Sequence, residues 1–474
     1  MKRNFQVNMC EGSILKNLLV FAFPLLAANI LQLLFNAADI TVLGKFIPDA
    51  KMADAAVGAV GSTNALINLI IGLFVGFSVG ANVLVARCVG ENDENRSRRI
   101  VGTSMSISII IGIFLAVLGF FCAKTFLRWM DSPDDVIDMA ASYLKIYFLG
   151  MPIMMLYNFS SAILRAVGDT VRPLIYLCCG GVVNVGLNIF FVKVVKLDVE
   201  GVAIATVVSQ LIAAVLTVIT LIRSDGHSKF ELKKMKISGK DLLDIVKIGL
   251  PAGLQGCVFA ISNVIIQSTI NSFNTDAVTA NSIASQIEGF VYYAMYSVAL
   301  ASLSFVSQNY GAGNIARVKK TVWIALAVAG IVGLIVGWGV VLLDRELCSI
   351  ISKDPKVIDM ACERLWIIST TYFLCGFMDT YGNAMRGLGK STLAMIVSLS
   401  GSCLFRILWI STIFKIYPTL RCVYIVYPIS WLLTILIYVV LYYPLINKIE
   451  KKFGAQKQVT QTEGEKTNEE LLSV

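Results

Sequence analysis

The sequence predicts an all-α membrane protein with twelve transmembrane helices, arranged as two six-helix lobes related by a pseudo-twofold axis along the membrane normal. Three observations carry this expectation. The 474 residues are 57% hydrophobic and 15% charged, whereas a soluble domain carries about 25% charged residues. Apolar stretches longer than about 18 residues, the length that crosses a bilayer, recur along the whole chain. Finally, Val136-Ile137-Asp138-Met139-Ala140 returns as Val357-Ile358-Asp359-Met360-Ala361, at an offset of 221.

The apolar runs place spans at 17–44, 55–86, 100–123, 136–159, 173–195, 200–222, 243–270, 277–309, 321–343, 357–385, 392–416 and 421–447. Each must be a helix, because backbone polar groups in lipid have to be satisfied within the segment. Lys2 and Arg3 precede an apolar run too long for a signal h-region, so no cleavable signal is expected. Residues 1–225 form the first lobe, 226–241 a linker, 242–448 the second lobe and 449–474 a polar tail whose composition predicts disorder.

The net charge of +9 does not point to nucleic acid, because nearly all of it lies in short loops. Lysine and arginine concentrate at the N-terminus, in the even-to-odd loops and in the tail, which places both termini in the cytoplasm of an inner membrane. Lys145, Lys247, Arg364 and Arg406 are cationic residues inside spans and away from their outermost residues. The offset of 221 also relates Gly90 to Gly311, Arg96 to Arg317, Arg165 to Arg386 and Gly168 to Gly389. Pro24 and Asn36 match Pro251 and Asn263 at 227, which implies an insertion near the linker. Six helices per half insert both halves the same way up, so a cavity is expected between the lobes near the midplane.

Ionisable side chains inside spans are costly and mark function. Asp39 lies about 8 Å below the outer end of helix 1 at 1.5 Å per residue. Asn184 and Asn188 share one face of helix 5 by their i,i+4 spacing, and Thr206 of helix 6 lies at similar depth. Carboxylate, amide and hydroxyl oxygens suit a hard cation, Na⁺ for instance, or a protonated carboxyl held by hydrogen bonds. Isolated amides in spans also serve as interhelical glue.

The second half is chemically different. Ile266 stands where the proline register would repeat Asp39. Gln255, Asn263, Gln286, Glu288, Tyr292 and Arg406, with Asn36 of the first half, are the substrate-cavity candidates. Tyr293, Tyr296 and the Met151–Met155 stretch either line that cavity or pack. Glu288 and Arg406, about 17 and 15 Å below the outer ends of their helices, are expected to form an ion pair. Asp379, near the inner end of helix 10, suits a gate or a helix-end role. Eleven cysteines without a CxxC pair read as small packing residues. His227 reads as a solvated loop residue. No Walker A or HExxH sequence is present, which argues against direct ATP drive and against an enzyme.

The chain resembles the multidrug and toxic compound extrusion (MATE) family of secondary transporters over nearly all of residues 10–450. The resemblance rests on the 6+6 plan, on Pro24 followed fifteen residues later by Asp39, and on Val85 to Gly90 followed by Arg96, with its repeat Val306 to Gly311 followed by Arg317. Arg165-Ala166-Val167-Gly168-Asp169, Arg386-Gly387-Leu388-Gly389-Lys390 and Gly201-Val202-Ala203-Ile204-Ala205-Thr206 extend it. The family implies an antiporter that exports drugs or other small, often cationic, amphipathic molecules in exchange for H⁺ or Na⁺. Its cation site in related bacterial members uses a helix 1 Asp, an Asn and an Asp one turn apart in helix 5, and a helix 6 Thr. Asp39, Asn184 and Thr206 match that set, and Asn188 replaces the second acid. A helix 7 Glu found in another branch is absent, with Phe259 and Ala260 in its place. The expected partners are a small-molecule substrate and membrane lipid, with no cofactor beyond the coupling ion, and the expected state is a monomer. A flippase of a lipid-linked precursor and a polytopic membrane enzyme are the competing readings.

Overall fold

The computed structural model describes residues 5–47, 50–129, 136–232 and 235–472, with the side chains of residues 50, 54, 62, 64, 65 and 456–472 outside the description. The described chain is helical. The first lobe comprises α1 (Ile14–Phe46), α2 (Ala50–Glu91), α3 (Glu94–Trp129), α4 in two segments (Ile137–Leu149 and Met151–Ala166), α5 (Val171–Ile189) and α6 (Val199–Arg223). The second comprises α7 (Gly239–Asn271), α8 (Thr275–Gly311), α9 (Ile315–Leu342), α10 in two segments (Pro355–Ser369 and Tyr372–Gly387), α11 (beginning at Ser391–Ser398) and α12 (Leu420–Leu472). Ten of these helices are individually long and apolar enough to cross a bilayer, and the α4 segments, bent by 49°, make an eleventh span together. The two segments of α10 take the twelfth position.

The duplication seen in the sequence extends to details of the backbone. The α4 break at Gly150 recurs at Thr371 in α10, so that Met151–Ala166 and Tyr372–Gly387 coincide at the offset of 221. Pro152, which cannot donate a backbone hydrogen bond, follows the first break. Gly168 and its repeat Gly389 both take positive φ, 96° and 74°, after their helices end. At the ends of α3 and α4 remote from the chain termini Lys124 pairs with Asp138, and the repeat-related Arg345 pairs with Asp359, each at 2.5 Å.

The lobes meet in their halves nearest the termini. The tips of α2 and α8 approach so closely that a Cβ on Gly90 would stand 2.0 Å from the Gln308 carbonyl oxygen, and one on Gly311 2.2 Å from that of Arg87. Arg87 donates to the Gly387 carbonyl at 3.0 Å, and its repeat Gln308 donates to the Ala166 carbonyl, the repeat of 387, at 2.7 Å. The N-terminal segment is stitched over this seam. Val7 N–H donates to the Gly168 carbonyl of the first lobe at 3.0 Å. Arg317 of the second lobe donates to the carbonyls of Met9, Glu11 and Gly12. This end of the molecule is closed.

Two expectations outside the membrane change. The polar tail continues α12 as helix to Leu472 rather than leaving the last span as coil, since its Lys, Gln and Glu are good helix formers. The linker is docked: Ser97 and Arg98 donate to the carbonyls of His227 and Gly226, and Thr103 donates to that of Lys236. His227 is consequently half-buried rather than solvated, and burial holds its imidazole below the usual pKa. All eleven cysteines are free.

Candidate functional site

α1 runs through the first lobe beside α5 and α6, and its polar residues Gln32, Asn36 and Asp39 follow the i,i+4,i+7 spacing of one helix face. Asp39 ends that row and is buried, 8% exposed. Asn188, fully buried near the end of α5, donates from Nδ2 to Asp39 Oδ1 at 2.5 Å and to Asn184 Oδ1 at 3.2 Å. Thr206 of α6 donates to Asp39 Oδ2 at 3.4 Å, and Asn184 donates to the Thr206 hydroxyl at 3.4 Å. The four residues that the sequence pattern singled out therefore form one closed cluster across three helices.

Among the described residues the cluster's carboxylate has no cationic partner and is stabilised by neutral donors. It also has a spare acceptor: Asn188 Oδ1 is buried and receives no hydrogen bond. A buried acceptor left empty is costly. Two things would relieve it, a proton carried by the neighbouring carboxyl or a cation placed among the oxygens of Asp39, Asn184, Asn188 and Thr206. Just after Asn188, α5 widens into a π-helical turn over Phe190–Val195, a local distortion often found at functional sites.

A cavity of about 360 Å³ reaches this cluster from the side. Its wall carries Asn36, Asp39, Asn184 and Thr206, together with Gln32, Asn68, Tyr147, Tyr157 and Gln210. Tyr293 of α8, in the second lobe, also lines it. Two glycines on its wall let neighbouring helices pack close: a Cβ on Gly181 would fall inside the Phe35 ring, and one on Gly180 would press on the Ser209 carbonyl.

The remaining cavity candidates are not on this wall. Gln255 accepts from Arg386 at 2.7 Å. Tyr292 stacks on Tyr296 with centroids 5.4 Å apart. Asn263 and Gln286 are exposed elsewhere on α7 and α8. The expected Glu288–Arg406 pair does not form. Arg364 of α10 meets Glu288 in a two-pronged bond, 2.9 and 2.7 Å, and its third nitrogen donates to Asn281 at 2.5 Å. Asn281 in turn donates to Gln267 at 2.7 Å. Arg406 faces α12 instead, lying 4.4 Å from the Tyr427 ring centroid and donating to Ser430 at 3.0 Å. Glu288 and Asn281 sit seven residues apart on one stripe of α8, and that stripe faces α10. Asp379 is half-buried in the second α10 segment.

Sequence reasoning passed over Gln32, Asn68 and Gln210 on the cavity wall, and the partnership of Arg364. The i,i+4 spacings of Gln32 with Asn36 and of Thr206 with Gln210 were the available signals for two of them.

Comparison with known proteins agrees with this architecture. The MatE family model matches residues 24–190 and 251–410. The chain is 26% identical over 397 residues to a probable multidrug resistance protein, YoeA, of Bacillus subtilis, covering 82% of this chain and 84% of that one. It is 20% identical over 401 residues to the multidrug export protein MepA of Staphylococcus haemolyticus, covering 84% and 87%. Among solved structures, a MOP superfamily transporter from Pyrococcus furiosus superposes with a TM-score of 0.86 at 21% identity, over 95% of this chain and 100% of that one. An outward-facing MATE family transporter of the same superfamily gives 0.86 over the same coverage.

Proposed function

Starting from the premise that the chain belongs to the MatE family of multidrug efflux transporters, we propose that it is a secondary antiporter, driven through Asp39, that exports small amphipathic molecules in exchange for a cation. Both termini lie in the cytoplasm of a bacterial inner membrane, so the closed seam faces inward and the cavity empties outward. The protein works as a monomer, with lipid and its cargo as partners.

The single observation behind this reading is the Asp39 cluster. Exchange needs two ligands that bias one conformational equilibrium in opposite directions. In the charged form, Asn188 and Thr206 both donate to Asp39. Once protonated, the carboxyl becomes a donor, and the unused Asn188 Oδ1 is the acceptor beside it. Rotation of that carboxamide then rearranges α5 against α1. Pro24, where α1 already lacks a backbone hydrogen bond, gives the helix a place to bend.

H⁺ is the favoured coupling ion. A single carboxylate suffices for a proton, and Na⁺ at Asp39, Asn184, Asn188 and Thr206 would have one acid to neutralise it. The flippase alternative calls for a strongly cationic cavity, and the lining described here contains no lysine or arginine. Purified protein in proteoliposomes, given H⁺ and Na⁺ gradients separately, tests the reading. Ethidium export driven by the H⁺ gradient is expected, and transport indifferent to both gradients rejects it.

A further inference from the structure

We propose that the two chain segments leading into α1 and α7 are crossed straps that hold the closed face of the molecule shut, and that this face opens only when they let go. The proposal goes beyond the antiport reading and does not depend on which ion or cargo is moved.

Each strap enters one lobe and docks on the other. The first leads into α1 of the first lobe. Its Met9, Glu11 and Gly12 carbonyls accept from Arg317 of α9 at 3.1, 2.8 and 3.1 Å. Asn309 of α8 is a second donor to Met9, at 3.0 Å. The Met9 side chain is fully buried and packs in one cluster with Phe21 of α1 and Phe305 of α8. The same strap is also held to the first lobe. Val7 N–H donates to the Gly168 carbonyl, and the Phe5 ring centroid lies 5.7 Å from the Arg172 guanidinium. The fit at Gly168 is close: a Cβ there would stand 2.4 Å from the Val7 carbonyl oxygen.

The second strap is the linker, which leads into α7 of the second lobe and docks on α3 of the first. Thr103 accepts from Ser238 N–H at 3.2 Å and donates to the Lys236 carbonyl at 3.3 Å. Ser97 and Arg98 hold the carbonyls of His227 and Gly226. Arg96, the repeat of Arg317, likewise reaches across, to Asp244 of α7 at 3.9 Å. Because α3 and α9 are repeat-related, the two dockings follow one rule. The lead-in to the first helix of each lobe crosses to the third helix of the other. Each strap ends in a serine, Ser13 or Ser238, whose hydroxyl accepts from the first turn of the helix that follows.

Contacts made in only one of two states set the population of that state. The strap contacts exist only while the lobes meet at this end. Parting the lobes must break the first strap's bonds on one side or the other, and release from α9 also exposes Met9 to water, which its apolar burial opposes.

Electron-electron distance measurements in nanodiscs test this, with nitroxides at Asn95 and Ala316 and the native cysteines replaced. These are exposed, repeat-related positions at the ends of α3 and α9 beside the closed face. Arg317→Ala should raise the population of a longer distance at least threefold. Thr103→Val should raise it less, and the double variant should exceed either. Arg317→Gln, which keeps a donor, should fall between Arg317→Ala and wild type. If Arg317→Ala yields no folded protein, Arg317→Gln and Thr103→Val are judged by the same distances. Unchanged distance distributions in the folded variants overturn the proposal. A lower unfolding temperature with unchanged distances does so too, since the contacts would then be structural only. The distances are read without gradient or cargo, so failure of the antiport reading leaves this result standing, and the reverse holds.

Discussion

The two lobes share a backbone and differ in what they do with buried polarity. In the first, Asp39 sits among neutral donors with an acceptor left over, beside a cavity lined by amides and aromatic rings. In the second, Glu288 is locked to Arg364, Arg364 to Asn281 and Asn281 to Gln267. One network has groups waiting for a ligand and the other is satisfied internally. The duplication preserved the helix order, the breaks and the Lys124–Asp138 and Arg345–Asp359 ion pairs, while the interior chemistry diverged.

Breaking the satisfied network should have the largest effect on folding. Glu288→Gln or Arg364→Gln strands a buried charge and should cost about 3–5 kcal/mol, read as lost folded yield and a lower unfolding temperature. The double change should recover much of it. Arg406→Gln, which removes a ring contact and a bond to Ser430, should cost about 2 kcal/mol or less. Equal losses for Arg406→Gln and Arg364→Gln would erase the distinction drawn here.

Pushing the lobes apart sharpens the comparison next. Gly90→Leu or Gly311→Leu places side-chain atoms against the facing backbone, an overpacking cost of about 1–3 kcal/mol. Spin labels on the tips of α2 and α8 should then report a longer and broader distance distribution, and an unchanged one would contradict the seam. A smaller effect is expected from Gln308→Ala. One interlobe hydrogen bond in a membrane protein contributes about 0.6 kcal/mol, so the same labels should show a modest shift. The mildest change is Asn188→Asp, which adds a second acid beside Asp39. It should leave the fold intact and strengthen any Na⁺ dependence of transport, and loss of folding instead would mean that the cluster tolerates no second charge.

Much of this was legible in the chain. Asp39, Asn184, Asn188 and Thr206 could be grouped because an acid or amide in an apolar run is conspicuous, and because depth along adjacent helices brings similar heights together. Depth alone could not choose the partner of Glu288. Arg406 lies at a similar depth, but which helix the Glu288 face of α8 meets is set by packing of the lobe, and that helix is α10. The amides Gln32, Asn68 and Gln210 were hidden for the same reason, since facing a cavity rather than a neighbouring helix is a three-dimensional property. The interlobe seam was half visible: Gly90 and Gly311 stood out as a repeated pair, but the backbone approach that requires them did not.

The central claim is that Asp39 couples the ion to the cargo. It is tested most directly by H⁺-gradient-driven ethidium transport in proteoliposomes containing Asp39→Asn, alongside wild type reconstituted at equal density. Asparagine keeps the shape and hydrogen bonds to Thr206 and Asn188 within reach but cannot take up the proton. The account predicts a folded, correctly inserted variant with no gradient-driven transport. Transport at the wild-type rate would contradict it.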